Sequence, residues 1–105
     1  MDKNRLEALL EEAIIDCYDE QEVFMGVLYT LDERLDFPLQ ARVLGEWVKV
    51  IGLDDSHSDL RRGIVARVCK GGQEYRLSLA DLEFVDPDPI SAEWLAVYQH
   101  WLGSG

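Results

Sequence analysis

The chain has 105 residues and a mass of 12.0 kDa, enough for one domain with a single modest core. Hydrophobic residues make up 48% of it, so it should fold rather than stay disordered. A formal net charge of -11 disfavours nucleic-acid phosphates and anionic lipid headgroups as partners.

The charge is unevenly placed. Residues 1–33 hold ten acidic side chains against Lys3 and Arg5, residues 34–76 hold eight basic and six acidic groups, and from Leu77 onward five acids stand without a base. Cys17 and Cys69 are far apart, and His57 and His100 fit no spaced zinc-ligand motif, so the cysteines read as small hydrophobes in a reducing compartment. No apolar stretch approaches the roughly 20 residues of a membrane span, and no secretory leader is visible. A cytoplasmic protein with no membrane partner is expected.

In chain order, Asp2 or Asn4 can cap a first helix, with Glu7 three residues after Asn4 as a capping box requires. Leu6, Leu9, Leu10, Ala13, Ile14 and Cys17 then recur at helical spacing, with Glu7, Glu11, Glu12 and Asp16 on the other side. Tyr18-Asp19 breaks this pattern. Asp19 can cap a second helix with Glu22 at its third position, and Val23, Phe24, Val27, Leu28, Leu31 and Leu35 form its apolar stripe. Gly26 costs about 1 kcal/mol relative to Ala inside a helix, which suggests a close backbone approach there. Pro38 closes the helical region.

From Leu39 the period changes to two. Ala41 and Val43 alternate with Gln40 and Arg42, and, after a turn at Gly45-Glu46, Val48 and Val50 alternate with Trp47, Lys49 and Ile51. Asp54 to Asp59 reads as a loop, Gly63 to Lys70 as a third strand, and Gly71-Gly72 as a hairpin turn. Tyr75, Leu77 and Leu79 share one side of a fourth strand, and Leu82 to Val85 make a fifth after a turn at Ala80-Asp81. Five short strands in about 46 residues predict a small SH3-like barrel. Asp88 can cap a last helix with Pro89 at its first position, and Trp94, Val97, Tyr98 and Trp101 form an aromatic stripe suited to the core. The expected fold is therefore α+β in a single domain, residues 1–105. It divides into an acidic helical region (1–36), an SH3-like barrel (39–85) and a C-terminal helix (88–102).

The chemistry follows from oxygen ligands. Calcium takes six to eight oxygens, commonly from carboxylates and backbone carbonyls. Glu12, Asp16 and Asp19 or Glu20 form a row if the first helix continues. If Asp19 breaks it, Asp16, Asp19 and Glu20 surround a turn. Asp32, Glu33 and Asp36 repeat the theme about 20 Å further along the second helix, so two separate weak sites are more natural than one. The competing reading is that these acids simply form a solvated face.

An EF-hand does not fit: counting from Asp54, the sixth position is Asp59 rather than Gly and the twelfth is Val65 rather than Glu. Ser56-His57-Ser58-Asp59 has the letters of a hydrolase, but a catalytic triad is defined by geometry rather than adjacency, and no catalysis is expected. Arg61, Arg62, Arg67, Lys70 and Arg76 could make a basic patch, but the acidic helices would repel the same phosphates that such a patch attracts.

Asp16-x-Tyr18-x-Glu20-x-Glu22-x-x-x-Gly26, followed by Leu31, Leu35 and Phe37-Pro38, resembles the pattern of the cyanobacterial-type calcium-binding protein family. The Val48-x-Val50-x-Gly52 and Leu77-Ser78-Leu79-x-x-Leu82 segments and the helix with Trp94 and Trp101 are similar as well, over about residues 10–102. The resemblance implies a small acidic bacterial protein that buffers or senses Ca²⁺ without EF-hands. It implies a ligand region of Asp16, Glu20 and Glu22, with Asp32 and Asp36 near Phe37-Pro38. Together with Asp19 from the turn, these six are the expected metal residues. A monomer with calcium as its ligand is expected, at an affinity on the order of 10⁻⁶ to 10⁻³ M. The alternatives are an acidic module that meets a basic protein partner without metal, and a nucleic-acid-binding barrel.

Overall fold

The computed structural model describes residues 2–104. Its elements are α1 (Lys3–Ala13), α2 (Glu20–Arg34), β1 (Leu39–Val43), β2 (Glu46–Asp59), β3 (Gly63–Lys70), β4 (Gln73–Ser78), a 3₁₀ turn (Leu79–Asp81), β5 (Glu83–Phe84) and α3 (Pro89–Ser104). They form two compact units, one of residues 1–35 with 88–105 and one of residues 36–87. None of the described helices is long and apolar enough to cross a membrane.

In the helical unit, Asp2 caps α1 by accepting the Asn4 N–H at 3.0 Å. The apolar spacing predicts helix through Cys17, but α1 ends at Ala13. Ile14 leaves helical geometry, and the Cys17 N–H bonds the Ile14 carbonyl at 2.9 Å to close a turn. One physical reason lies in the charges: Glu11, Glu12 and Asp16 would crowd the negative end of a longer helix that has no basic residue in its last turn. Gly26 marks a close approach of α2 to this segment. A Cβ there would lie 2.8 Å from Cys17 Sγ and 3.1 Å from the Ala13 carbonyl oxygen.

The apolar stripe of α2 buries Phe24, Val27, Leu28 and Leu31. Asp88 starts α3 as expected, its carboxylate accepting the Ser91 N–H at 3.0 Å with Pro89 at the first helical position. A bond with the Ser91 hydroxyl, foremost, and this backbone bond hold the Asp88 carboxyl below its ordinary pKa. Trp94, Val97 and Tyr98 are buried, and the Trp101 ring stands 6.2 Å from Phe24 and 6.0 Å from Tyr98. The aromatic stripe is core. Arg5 of α1 joins Glu93 of α3 through two bonds of 2.9 and 3.1 Å.

In the sheet unit the five strands are antiparallel in the order β4-β3-β2-β1-β5. The barrel expected from the sequence is corrected: the sheet is open. β5 has two residues, pairing Phe84 with Ala41 and Glu83 with Arg42, too short an edge to close against β4. The first turn also lies one residue earlier than expected, at Leu44-Gly45, both with positive φ, because Val43 pairs with Glu46. Leu79, expected in the fourth strand, belongs instead to the 3₁₀ turn. Gly71-Gly72 forms the expected two-residue turn, with φ of 60° and 81°. Cys17 and Cys69 are both free and half-buried.

The segment Asp54–Asp59, expected as a loop, is the distal part of β2. It bulges, because Asp54 pairs with Val65 while Asp59 pairs with Gly63. Side chains replace the missing ladder. Ser58 Oγ donates to the Asp54 carbonyl at 2.6 Å and accepts the Val65 N–H at 2.8 Å. The buried Asp54 carboxylate meets Ser56 Oγ (2.6 Å), His57 Nδ1 (2.7 Å), the His57 N–H (3.3 Å) and Arg76 Nε (2.6 Å).

Candidate metal site

The connection between α1 and α2 gathers four of the six expected residues. Asp16 lies in the turn closed by Cys17, and Asp19 is the N-cap of α2, accepting the Glu22 N–H at 2.8 Å. Glu22 reaches back to accept the Tyr18 N–H at 2.9 Å through Oε2. This reciprocal pair satisfies two backbone donors at the helix start, a sufficient structural reason for both acids. Each carboxylate uses one oxygen for it and keeps the other. Glu20 opens the helix. All four are exposed, and among the described residues none of them has an ion pair.

Electrostatics favour a cation just before this point in the chain. The C-terminal carbonyls of α1 form the negative end of its dipole, and Glu11 and Glu12 occupy the last turn where a basic residue would be favourable. A hard cation is suited to carbonyl and carboxylate oxygens of this kind. The donor chemistry fits calcium. The arrangement is open rather than assembled, since among the described residues no three His, Cys, Asp or Glu side chains stand together as a ready metal cage.

Asp32 and Asp36 are not gathered with the others. Asp32 lies in the last turn of α2, about 18 Å along the helix from Glu20. Asp36 is exposed in the sheet unit.

The largest polar network is elsewhere, and the sequence reading missed it. Ser56, chiefly, and Arg76 hold the Asp54 carboxyl well below its ordinary pKa, with His57 adding to the effect. Asp59 is likewise lowered, first by the Arg62 backbone N–H. The visible signal was Asp54-x-Ser56-His57-Ser58, short polar side chains able to bond nearby backbone. This is not a hydrolase triad. Ser56 Oγ and Asp54 Oδ2 both approach Nδ1 of His57, whereas a relay needs them on opposite ring nitrogens.

The anticipated basic patch is largely matched by acids. Arg67 pairs with Glu74, Lys70 with Glu46, Arg62 with Asp59, and Arg76 with Asp54.

The family model for CcbP, described as calcium binding, matches residues 7–102. The fold is similar to the crystal structure of CcbP from Anabaena, with a TM-score of 0.86 and 25% identity, covering 97% of this chain and 92% of that one. It is also similar to a solved calcium-binding protein in its calcium-binding form, with a TM-score of 0.80 and 25% identity over 100% of this chain and 98% of that one. No curated protein matches.

Proposed function

Because the chain belongs to the CcbP family of calcium-binding proteins, we propose that it is a small non-catalytic Ca²⁺ buffer or sensor whose ion is held around the α1–α2 connection. Asp16 and Glu20 are the primary ligands in this reading, with the remaining oxygens of Asp19 and Glu22 and nearby backbone carbonyls completing the shell. Asp32 is too far along α2 to join them. The free cysteines suit a reducing, cytoplasmic setting.

The supporting observation is the uncompensated negative charge at the end of α1 and the start of α2, whereas the charges of the sheet unit are largely paired. Thermal melting tests it. At 100 times its dissociation constant, a ligand specific to the folded state adds about 2.7 kcal/mol, which for a chain this size raises the midpoint by roughly 10 °C. Millimolar Ca²⁺ should do this, while Mg²⁺ or NaCl of matched ionic strength should do much less. Equal responses to all three salts would reduce the effect to screening and contradict the reading.

A further inference from the structure

The sheet has one long open edge. β4 ends the strand order, its residues Gln73 to Arg76 are all exposed, and the opposite edge, β5, is two residues long. The two-residue turn at Gly71-Gly72 makes Lys70 and Gln73 a hydrogen-bonded pair. Alternation then makes Val68–Tyr75 a second such pair and leaves Cys69–Glu74 and Arg67–Arg76 as non-hydrogen-bonded pairs. Tyr75 therefore directs its backbone groups toward β3, whereas Glu74 and Arg76 direct theirs outward, to the unpaired edge.

We propose that this edge takes a second copy of the chain, with the two β4 strands antiparallel about a two-fold axis at Tyr75. In that register Tyr75 faces Tyr75 of the other copy as a non-hydrogen-bonded pair, and each Glu74 faces an Arg76. The outward N–H and C=O groups of Glu74 and Arg76 then satisfy each other, giving four backbone bonds across the axis. The same pairing sets opposite charges side by side twice. Within each copy Arg76 meets Asp54 through Nε and stands 3.6 Å from Glu74 Oε2 through Nη1, and Glu74 Oε1 accepts from Arg67 Nε at 2.7 Å, so the cross-axis pairs extend an ion-pair network already present on each strand. Tyr75, 46% exposed, supplies the apolar centre.

Charges on edge strands ordinarily discourage pairing, because most registers leave them unmatched. Here the two-fold register matches them and other registers do not. The charge of -11 on each copy opposes the encounter, so the dimer is weak and forms best at physiological salt. It replaces the monomer expected from the sequence, and it does not depend on the calcium reading.

Cysteine crosslinking in the presence of a calcium chelator tests it, in the 105-residue chain carrying Cys17→Ser and Cys69→Ser. Facing residues of a non-hydrogen-bonded pair have Cα atoms about 4.5 Å apart, within disulfide range. Position 73 would stand about 13 Å from its own counterpart, beyond that range. Tyr75→Cys should therefore crosslink under mild oxidation roughly tenfold faster than Gln73→Cys. Adding Glu74→Pro removes one outward N–H while leaving the β3–β4 ladder intact, and should abolish the difference. Glu74→Lys, which sets like charges opposite, should weaken it without altering backbone donors. Equal rates at positions 75 and 73, or no effect of either Glu74 variant in protein with unchanged circular dichroism, would overturn the proposal.

Discussion

The helical and sheet units treat charge in opposite ways. The helical unit has twelve acidic side chains against Lys3, Arg5 and Arg34. Of these bases, Arg5 is paired with Glu93 and Arg34 lies over the Trp94 ring at 5.8 Å. The sheet unit has nine acids and seven bases, and most of its bases face an acid across strands or within the distal bulge of β2. Where charge serves the fold, this chain matches it. Where charge is left unmatched, at the end of α1 and the start of α2, a ligand can supply the missing positive groups.

Removing a matched charge should cost more than removing an unmatched one. Asp54→Ala leaves Arg76 and the Ser56 hydroxyl without their acceptor, and should lower the melting midpoint more than any exposed-acid variant. The same carboxyl fixes a pH dependence. Its pKa is depressed in the folded state, so its contribution is full above the ordinary carboxylate value of about 3.9 and is lost as pH falls below that toward the depressed value. Asp54→Asn should therefore flatten the acid limb of the stability curve, and a parallel limb in pH-dependent melting would count against the assignment.

Gly26→Ala sharpens the comparison within the helical unit. Helix propensity alone would gain about 1 kcal/mol. The new Cβ would meet Cys17 Sγ and the Ala13 carbonyl, and overpacking of this kind costs about 1–3 kcal/mol. A net loss is expected in chemical denaturation, partly recovered by adding Cys17→Ala, because the backbone carbonyl contact remains.

The smallest expected effect carries the most functional information. Asp16→Asn with Glu20→Gln should raise stability in metal-free buffer by about 0.2–0.5 kcal/mol for each repulsion relieved, and should flatten the Ca²⁺ response. A drop in metal-free stability would mean that these acids serve the fold as Asp54 does.

What the sequence made legible was local. The caps at Asp19 and Asp88, the Gly71-Gly72 turn and the close approach at Gly26 all follow from neighbouring residues. The end of α1 was misread because Ile14 and Cys17 keep helical spacing, while the turn that removes them from the helix is set by caps and charge. Asp54 to Asp59 has the composition of a loop and becomes strand because Arg76, 22 residues away, anchors it. Barrel closure depends on strand lengths that alternation alone does not define. Four expected metal residues share one connection and Asp32 lies well apart, a separation the length of the second helix already implied in the sequence.

The most direct test is a Ca²⁺ titration of uniformly ¹⁵N-labelled protein followed by amide NMR spectra. The first and largest shifts should fall on Asp16 to Glu22, with β4 and the Asp54 network unmoved, and they should vanish in the Asp16→Asn, Glu20→Gln variant. Shifts centred on the sheet unit, or an unaltered titration in that variant, would contradict the account.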